Sequence, residues 1–502
     1  MPKTGAVLDR LCTLCAVAFC ALIVLQNLLF LGQRGQWSSL LSLAVTAAAA
    51  VLLIRFLPQG RWIPWAIFLV RFFCALAVIL LVGAQPVQDF QTMYTAACQL
   101  AQGSHDYLYL DTCYFYNWAY QTAFVVYESA VIRLFGEGYL ALQVLNAGYM
   151  AGSAVLVWAI AQRLFPRGRA ALAAGVLYLL YPAPLFLAAV LTNQHLSVFL
   201  LYLGVWVFLG GKEGERPTLP RAALAGVLFA LGNAIRPIGV IPLLAAVLCC
   251  LIWLALRFRR EGRAILTALA RPAALAVSYL LVGALLSAAV VWSGANPYGL
   301  TNNQPMWKFV LGFNEESSGA WNQEDYDQLY LLQGEEADQA MREAVKERLS
   351  VGPVRLARLM WDKCQLMWAD NEYMFWGFGH LDHSAPLIGP LTVGQGVNLL
   401  CYWDKGGYLL LFALALCALA RRLVSRRPVP SSLLPVLIFC GYFAVHLLIE
   451  VQSRYRYFLM PAIAILAGWG LSWLLTRPWR REESPAGAQQ APENAGTPNA
   501  GP

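Results

Sequence analysis

Apolar runs close to the length that crosses a lipid bilayer recur along almost the whole chain. A transmembrane helix needs about 20 mainly apolar residues, fewer where neighbouring helices bury it. Such runs lie near 11–31, 38–57, 64–84, 139–162, 170–190, 195–211, 222–235, 238–256, 273–292, 406–420, 432–450 and 457–476. Little charge remains around them: 13% of the 502 residues are charged, about half the share in a soluble domain. That is too little to solvate a surface of this size in water, so lipid must solvate most of it. The sequence therefore predicts an all-α polytopic membrane protein of about twelve transmembrane helices. The first run has no small-residue cleavage site and is one of many, so it is not read as a signal peptide. Arg236-Pro237 leaves 222–235 and 238–256 open as one kinked helix or two helices.

The same composition excludes two other classes. The 12 Cys are diluted through the chain and mostly sit inside apolar runs, which is no disulfide scaffold. The net charge of +8 is small and its basic residues form short clusters between apolar runs, which gives no nucleic-acid footprint.

Those clusters set the orientation, because short cytoplasmic loops carry the excess of Lys and Arg. The cytoplasm is assigned to the N-terminus and to the segments around Arg55/Arg61, Arg163/Arg167/Arg169, Lys212/Arg216/Arg221, Arg257 to Arg271, Arg421 to Arg427, and Arg477 onward. They hold 22 of the 36 basic residues and 7 of the 28 acidic ones. Arg71 and Arg236 fall within spans; on the outer side 12 basic residues face 21 acidic ones. Both termini are then cytoplasmic, in a cell-envelope setting at the plasma membrane.

Two outer segments stand out by length. The first, 85–138, includes a semi-apolar stretch at 118–135 carrying Glu128 and Arg133. A full span there would invert every later loop, so it is read as an outer-face juxtamembrane helix. The second, 294–405, has a charged helical region near 323–349 and an aromatic run at 367–378. The tail from Ser484, with little charge and no aromatics, is expected to be disordered.

Four groups of residues could carry chemistry. Asp89 stands at the outer end of the third span, where a helix begins, and shares a face with Thr92, Met93 and Ala96. A carboxylate there suits removal of a proton from a hydroxyl; it equally suits a helix N-cap. Tyr107, Tyr109, Tyr114, Phe115, Tyr116 and Trp118, with Asp106 and Asp111 between them, read as a sugar platform or as the aromatic belt at headgroup level. Glu450-Val451-Gln452-Ser453-Arg454-Tyr455-Arg456 places two arginines on the side where positive charge is depleted. They could form a fork for a phosphate, with Glu450 holding one of them, or snorkel to headgroups. Arg236 is costly at its depth unless paired or facing a polar cavity. Arg71 is expected to snorkel inward.

Metal signals are poor. Cys12 and Cys15 lie inside a span, and His380 and His383 with Asp382 are too few for a zinc site. No metal or cofactor is expected. Cys98 and Cys113 could bridge in an oxidising exterior; two free thiols are the alternative. Neither a Walker A motif nor a Gly-x-Ser-x-Gly elbow occurs.

The order of these features closely resembles the first outer loop of the GT-C superfamily of integral-membrane glycosyltransferases, in its protein-mannosyltransferase-like and aminoarabinose-transferase-like branch. A span ending in Asp89 is followed by Tyr94-Thr95-Ala96-Ala97-Cys98-Gln99-Leu100-Ala101-Gln102-Gly103, an aromatic patch and Leu134-Phe135-Gly136. Ala161 to Phe165, Ala170 to Pro182, Gly232 to Pro237, and Glu450 to Arg456 followed by Pro461 are similar as well. The resemblance covers roughly 70–475 through degenerate motifs, specific for superfamily rather than substrate. It implies a core at 64–293, an N-terminal two-helix addition at 1–63, an outer-face segment at 294–405, C-terminal helices at 406–480, and a tail at 481–502. Many members have one span before the acidic loop, where this chain has three. Several relatives carry an acidic pair in that loop, whereas Gln88 precedes Asp89 here.

Carried over, the resemblance implies a lipid-linked sugar donor, a polyprenyl monophosphate, whose phosphate is held by Arg454 and Arg456, with Arg236 as a third candidate. Asp89 is the implied base, and Glu450, Tyr94, Tyr114, Tyr116 and Tyr455 are supporting residues. The acceptor would be a cell-surface glycan, lipid or protein, with inversion at the anomeric carbon and no metal. The rival classes are a transporter, a flippase or a ligase of lipid-linked glycans, and a non-catalytic scaffold. On the transferase reading Asp89, Arg454, Arg456 and Arg236 should line one outer cavity.

Overall fold

The computed structural model describes residues 2–108, 114–210, 217–261, 265–332, 334–371, 374–425 and 432–476. Tyr109, Asp111, Cys113, Lys212, Arg216, Arg263, Glu372, Arg427 and the tail 481–502 lie outside them, and with them the second half of the Cys98–Cys113 pair. Among the described residues the strands amount to one hairpin, Pro386–Ile388 against Leu391–Thr392. Nearly everything else regular is helix. That follows from lipid as solvent, since a helix satisfies its backbone polar groups within one segment.

Among the described residues seven helices are long and apolar enough to cross a membrane: Gly5–Arg34, Ser38–Phe56, Ile63–Val82, Leu140–Leu164, Leu269–Trp292, Val393–Val424 and Ser453–Thr476. The other five expected runs form shorter apolar helices, Ala170–Phe186, Gln194–Phe208, Leu219–Ile235, Val240–Ala255 and Leu433–Leu448. Arg236 itself is extended (φ −151°, ψ 127°) and ends Leu219–Ile235. The proline after it disfavours helical backbone, so 222–235 and 238–256 are two helices.

Ala170–Leu180 stops at Tyr181-Pro182, which leaves carbonyls without helical partners inside the bundle. Arg71 supplies the donors. It is buried and donates to the carbonyls of Tyr178, Leu179 (3.2 Å) and Tyr181 (3.1 Å). The expectation that Arg71 snorkels inward is therefore corrected: the broken helix gives the guanidinium a better partner than headgroups do.

Val393–Val424 starts well before the expected 406. Thr392 and Gln395 close a reciprocal capping box at its start, and Asp404 and Lys405 are buried within it rather than marking its end. The first two helices pack against it. Cys20 donates to the carbonyl of Phe412, and a Cβ on Gly406 would come within 2.5 Å of the Ser39 carbonyl. On the other side, Cβ atoms on Gly468 and Gly470 would meet the backbones of Ala174 and Leu414 at 2.4 and 2.1 Å. Small residues thus let Met460–Thr476 pack backbone to backbone between two neighbours.

Described residues between Met306 and Met360 build a smaller apolar core of their own around Trp307, Leu311, Tyr330, Met341 and Leu359, while Cys364, Met367, Trp368, Met374 and Phe378 pack into the main core. Trp118 from the first long segment belongs to the same core. A buried Asp325–Arg348 ion pair, with Asn314 donating to Asp325, fixes one edge of it. The two long segments are thereby fused into one layer beside the helix bundle.

Candidate active site

A cavity of about 1350 Å³ lies where that layer meets the bundle. Its lining comes from five stretches, 83–92, 114–121, 307–330, 375–380 and 450–455. The stretches 114–121, 307–330 and 375–380 belong to the two long segments, 85–138 and 294–405, in which acidic residues outnumber basic ones.

Asp89 is delivered to the cavity by the end of Ile63–Val82. Gly83 adopts a left-handed conformation (φ 63°, ψ 26°) that closes the helix, and the chain runs irregularly to Gln88 before Asp89–Ala101 begins. Gln88, at φ 50°, occupies the N-cap position and makes no side-chain cap. Asp89 is the first helical residue, so the N-cap reading of Asp89 is corrected by one position. Its carboxylate is exposed to the cavity at the positive end of the helix.

Arg454 faces the same cavity from Ser453–Leu459, a 3₁₀ helix preceding the last long helix. Its guanidinium lies 4.1 Å from the Trp376 ring centroid and 5.2 Å from that of Phe90. Arg454 Nε donates to Gln452 Oε1 (2.6 Å), and Gln452 Nε2 donates to Glu450 Oε1 (2.7 Å). Among the described residues Arg454 pairs with no carboxylate, which leaves its two terminal nitrogens available as donors.

The sequence offers Glu450 as a residue that could hold one of the arginines in place. Glu450 binds Lys308 instead, accepts a hydrogen bond from Tyr455 (3.2 Å), and reaches Arg454 only through Gln452. Burial opposes ionisation of Glu450, but Lys308 and the other donors outweigh it and hold the carboxyl below its ordinary range. Burial likewise opposes the charge on Lys308, and Glu450 reverses that, so both partners stay ionised.

Arg236 stands one layer back. It bonds Asn193 Oδ1 (3.0 Å) and lies 5.1 Å from the ring centroid of Tyr455, which itself lines the cavity. Arg456 points elsewhere. It lies over Tyr408 at 4.4 Å, 3.8 Å from Asp404, and is buried away from the main cavity. The geometry therefore brings Asp89 and Arg454 together, keeps Arg236 behind the wall, and turns Arg456 into the bundle.

Tyr114 and Tyr455 line the cavity; Tyr94 and Tyr116 do not. Tyr94 accepts from the Gly138 amide (2.9 Å), and Tyr116 packs on Tyr298. Burial pushes the Tyr114 hydroxyl well above its usual range, with nearby Asp89 adding and Arg454 opposing. It is a neutral donor beside the carboxylate. His380 and His383 bond the carbonyls of Val82 and Phe378.

The sequence matches no protein-family model and no curated protein.

Lys308, Gln452 and Trp376 have parts here that sequence reasoning missed. Lys308 carried the one available signal, as a cation on the acid-rich side.

Proposed function

We propose that this chain is a GT-C-like membrane glycosyltransferase, taking a sugar from a polyprenyl-monophosphate donor to an acceptor hydroxyl at the outer face. In this reading all twelve apolar helices cross the plasma membrane, the shorter five buried by neighbours, with both termini in the cytoplasm. The observation that carries it is the sharing of one cavity by the exposed carboxylate of Asp89 and the carboxylate-free guanidinium of Arg454.

Asp89 takes the proton of the acceptor hydroxyl as its oxygen bonds to the anomeric carbon from the face opposite the phosphate. The bond from that carbon to the phosphate oxygen breaks, its electron pair leaves with the polyprenyl phosphate, and the configuration inverts. Charge grows on the leaving phosphate, so a cation fixed in advance stabilises the transition state more than the ground state. Gln452, Phe90 and Trp376 fix Arg454 before substrate arrives. The lipid donor brings its phosphate to the membrane boundary, where the cavity sits in this reading.

The test uses purified protein, a panel of polyprenyl-phosphate sugars and mass spectrometry of donor consumption. Asp89→Asn should lower turnover by about 10²–10⁴-fold, as loss of a general base does, with donor binding intact. Equal turnover in both proteins would remove Asp89 from the chemistry. If no donor binds or turns over, the transferase reading fails.

A further inference from the structure

The cavity is larger than one small ligand requires, since single-ligand sites enclose roughly 300–1,000 Å³. Its lining is also mixed in chemistry. The stretches 83–92 and 450–455 contribute Asp89 and Arg454. The stretch 307–330 contributes a wall of aromatic rings. Trp307 meets Trp321 edge to face at 6.0 Å, Trp321 lies 5.2 Å from Tyr326, and Tyr326 stacks on Tyr330 at 4.7 Å.

Trp307 is fully buried and anchors the wall, while Trp321 keeps 47% of its surface. The anchoring is independent of any ligand, because the same Trp307 and Tyr330 centre the small core of the outer layer. An exposed tryptophan held this way presents a rigid apolar plane to the cavity. The wall also has polar edges. The Trp118 indole N–H donates to the Tyr330 hydroxyl (2.7 Å), leaving that hydroxyl's own proton to give. Gln323, which also lines the cavity, follows Trp321 on the same stretch.

We propose that this wall is a saccharide subsite, in which the C–H face of a pyranose ring stacks on Trp321. The aliphatic hydrogens of such a ring carry slight positive charge and meet the negative face of the indole, while its hydroxyls reach the polar edges. On the transferase reading, on which the word acceptor rests, the bound ring belongs to the acceptor, and the acceptor is a carbohydrate.

The experiment reads binding without donor. Full-length protein in lipid nanodiscs is titrated with tetrasaccharides of glucose, mannose and galactose by calorimetry and tryptophan fluorescence. At least one tetrasaccharide should bind, Trp321→Ala should weaken it about tenfold, and Trp321→Phe should recover part of the loss. Trp65→Ala, at an exposed tryptophan outside the cavity, controls for loss of an indole. The proposal is overturned if no tetrasaccharide binds, or if Trp321→Ala binds as tightly as the native chain. Saccharide binding without donor turnover counts against the transferase and leaves the subsite standing; turnover without saccharide binding counts against the subsite alone.

Discussion

Glu450 and Lys308 are joined twice, by a side-chain ion pair and by a backbone bond from the Glu450 amide to the Lys308 carbonyl at 2.8 Å. A second backbone bond, from Val451 to Gly319 at 2.9 Å, runs alongside. The loop that carries Arg454 is thereby tied to the outer layer that carries the aromatic wall. Lys308→Met should remove the main counter-charge of a carboxylate that is 2% exposed, while Lys308 itself is 32% exposed. Breaking a buried pair costs about 3–5 kcal/mol, and partial exposure of Lys308 brings the expected loss to about 2–4 kcal/mol. Lys308→Met with Glu450→Gln should recover part of it. Thermal unfolding of the two single variants and the double variant gives the coupling; additive losses would show that the pair does not tie the layers.

Arg454 and Arg456 should separate in their effects. Arg454→Gln is expected to lower donor turnover by about 10²–10³-fold, the scale for losing one fixed electrostatic group. Arg454→Lys should recover only a fraction, because an ammonium keeps the charge but not the planar fork or the stacking on Trp376. Arg456→Gln should instead appear as a lower Tm, since it leaves Asp404 buried beside a weaker partner. Steady-state turnover and Tm on the same preparations decide this, and a donor KM that rises equally in both variants would contradict the geometry.

The two arginines also show where the sequence stopped being legible. In the sequence they read as one fork because both sit on the side where positive charge is depleted. They lie in a 3₁₀ helix, Ser453–Leu459, where each residue turns the chain by about 120°, so their side chains diverge. The apolar helices were readable because lipid demands both length and composition. Arg71 was not, because its partners are carbonyls freed by a helix break in another segment. Lys308 likewise depends on a partner distant in the chain, a relationship that no local pattern encodes. Asp89 was readable because a span end, a proline and a helix start all lie within a few residues of it.

Arg71→Leu tests the broken helix. The substitution suits a lipid-facing position, yet here it would strip donors from the carbonyls of Leu179 and Tyr181 in the bundle interior. Each buried polar group left without a partner costs about 1–3 kcal/mol, so the expected destabilisation is about 2–5 kcal/mol. Thermal unfolding in detergent reads it. A leucine variant as stable as the native protein would show that the break at Tyr181-Pro182 is satisfied without Arg71.

Lys363 gives a pH signature. It is buried and donates to the carbonyls of Gly312 (2.7 Å), Leu447 (2.8 Å) and Ile449 (3.0 Å), fastening the outer layer to the chain just ahead of Glu450. Burial pushes its pKa down to about 7, against a smaller opposing pull from Cys364 and Glu450. An unfolded lysine titrates near about 10.4, so between these values the unfolded chain binds more protons than the folded one. Stability must then rise with pH across that window, by at most about 1.4 kcal/mol per pH unit. Above the folded value the neutral amine still has two hydrogens for three carbonyls, so the fastening loosens by one bond without being lost. Lys363→Met should unfold at lower temperature at every pH and lose the rising slope between pH 7 and about 10. Equal slopes in the native and Met proteins would show that Lys363 keeps its ordinary pKa and that the three carbonyls hold it charged throughout.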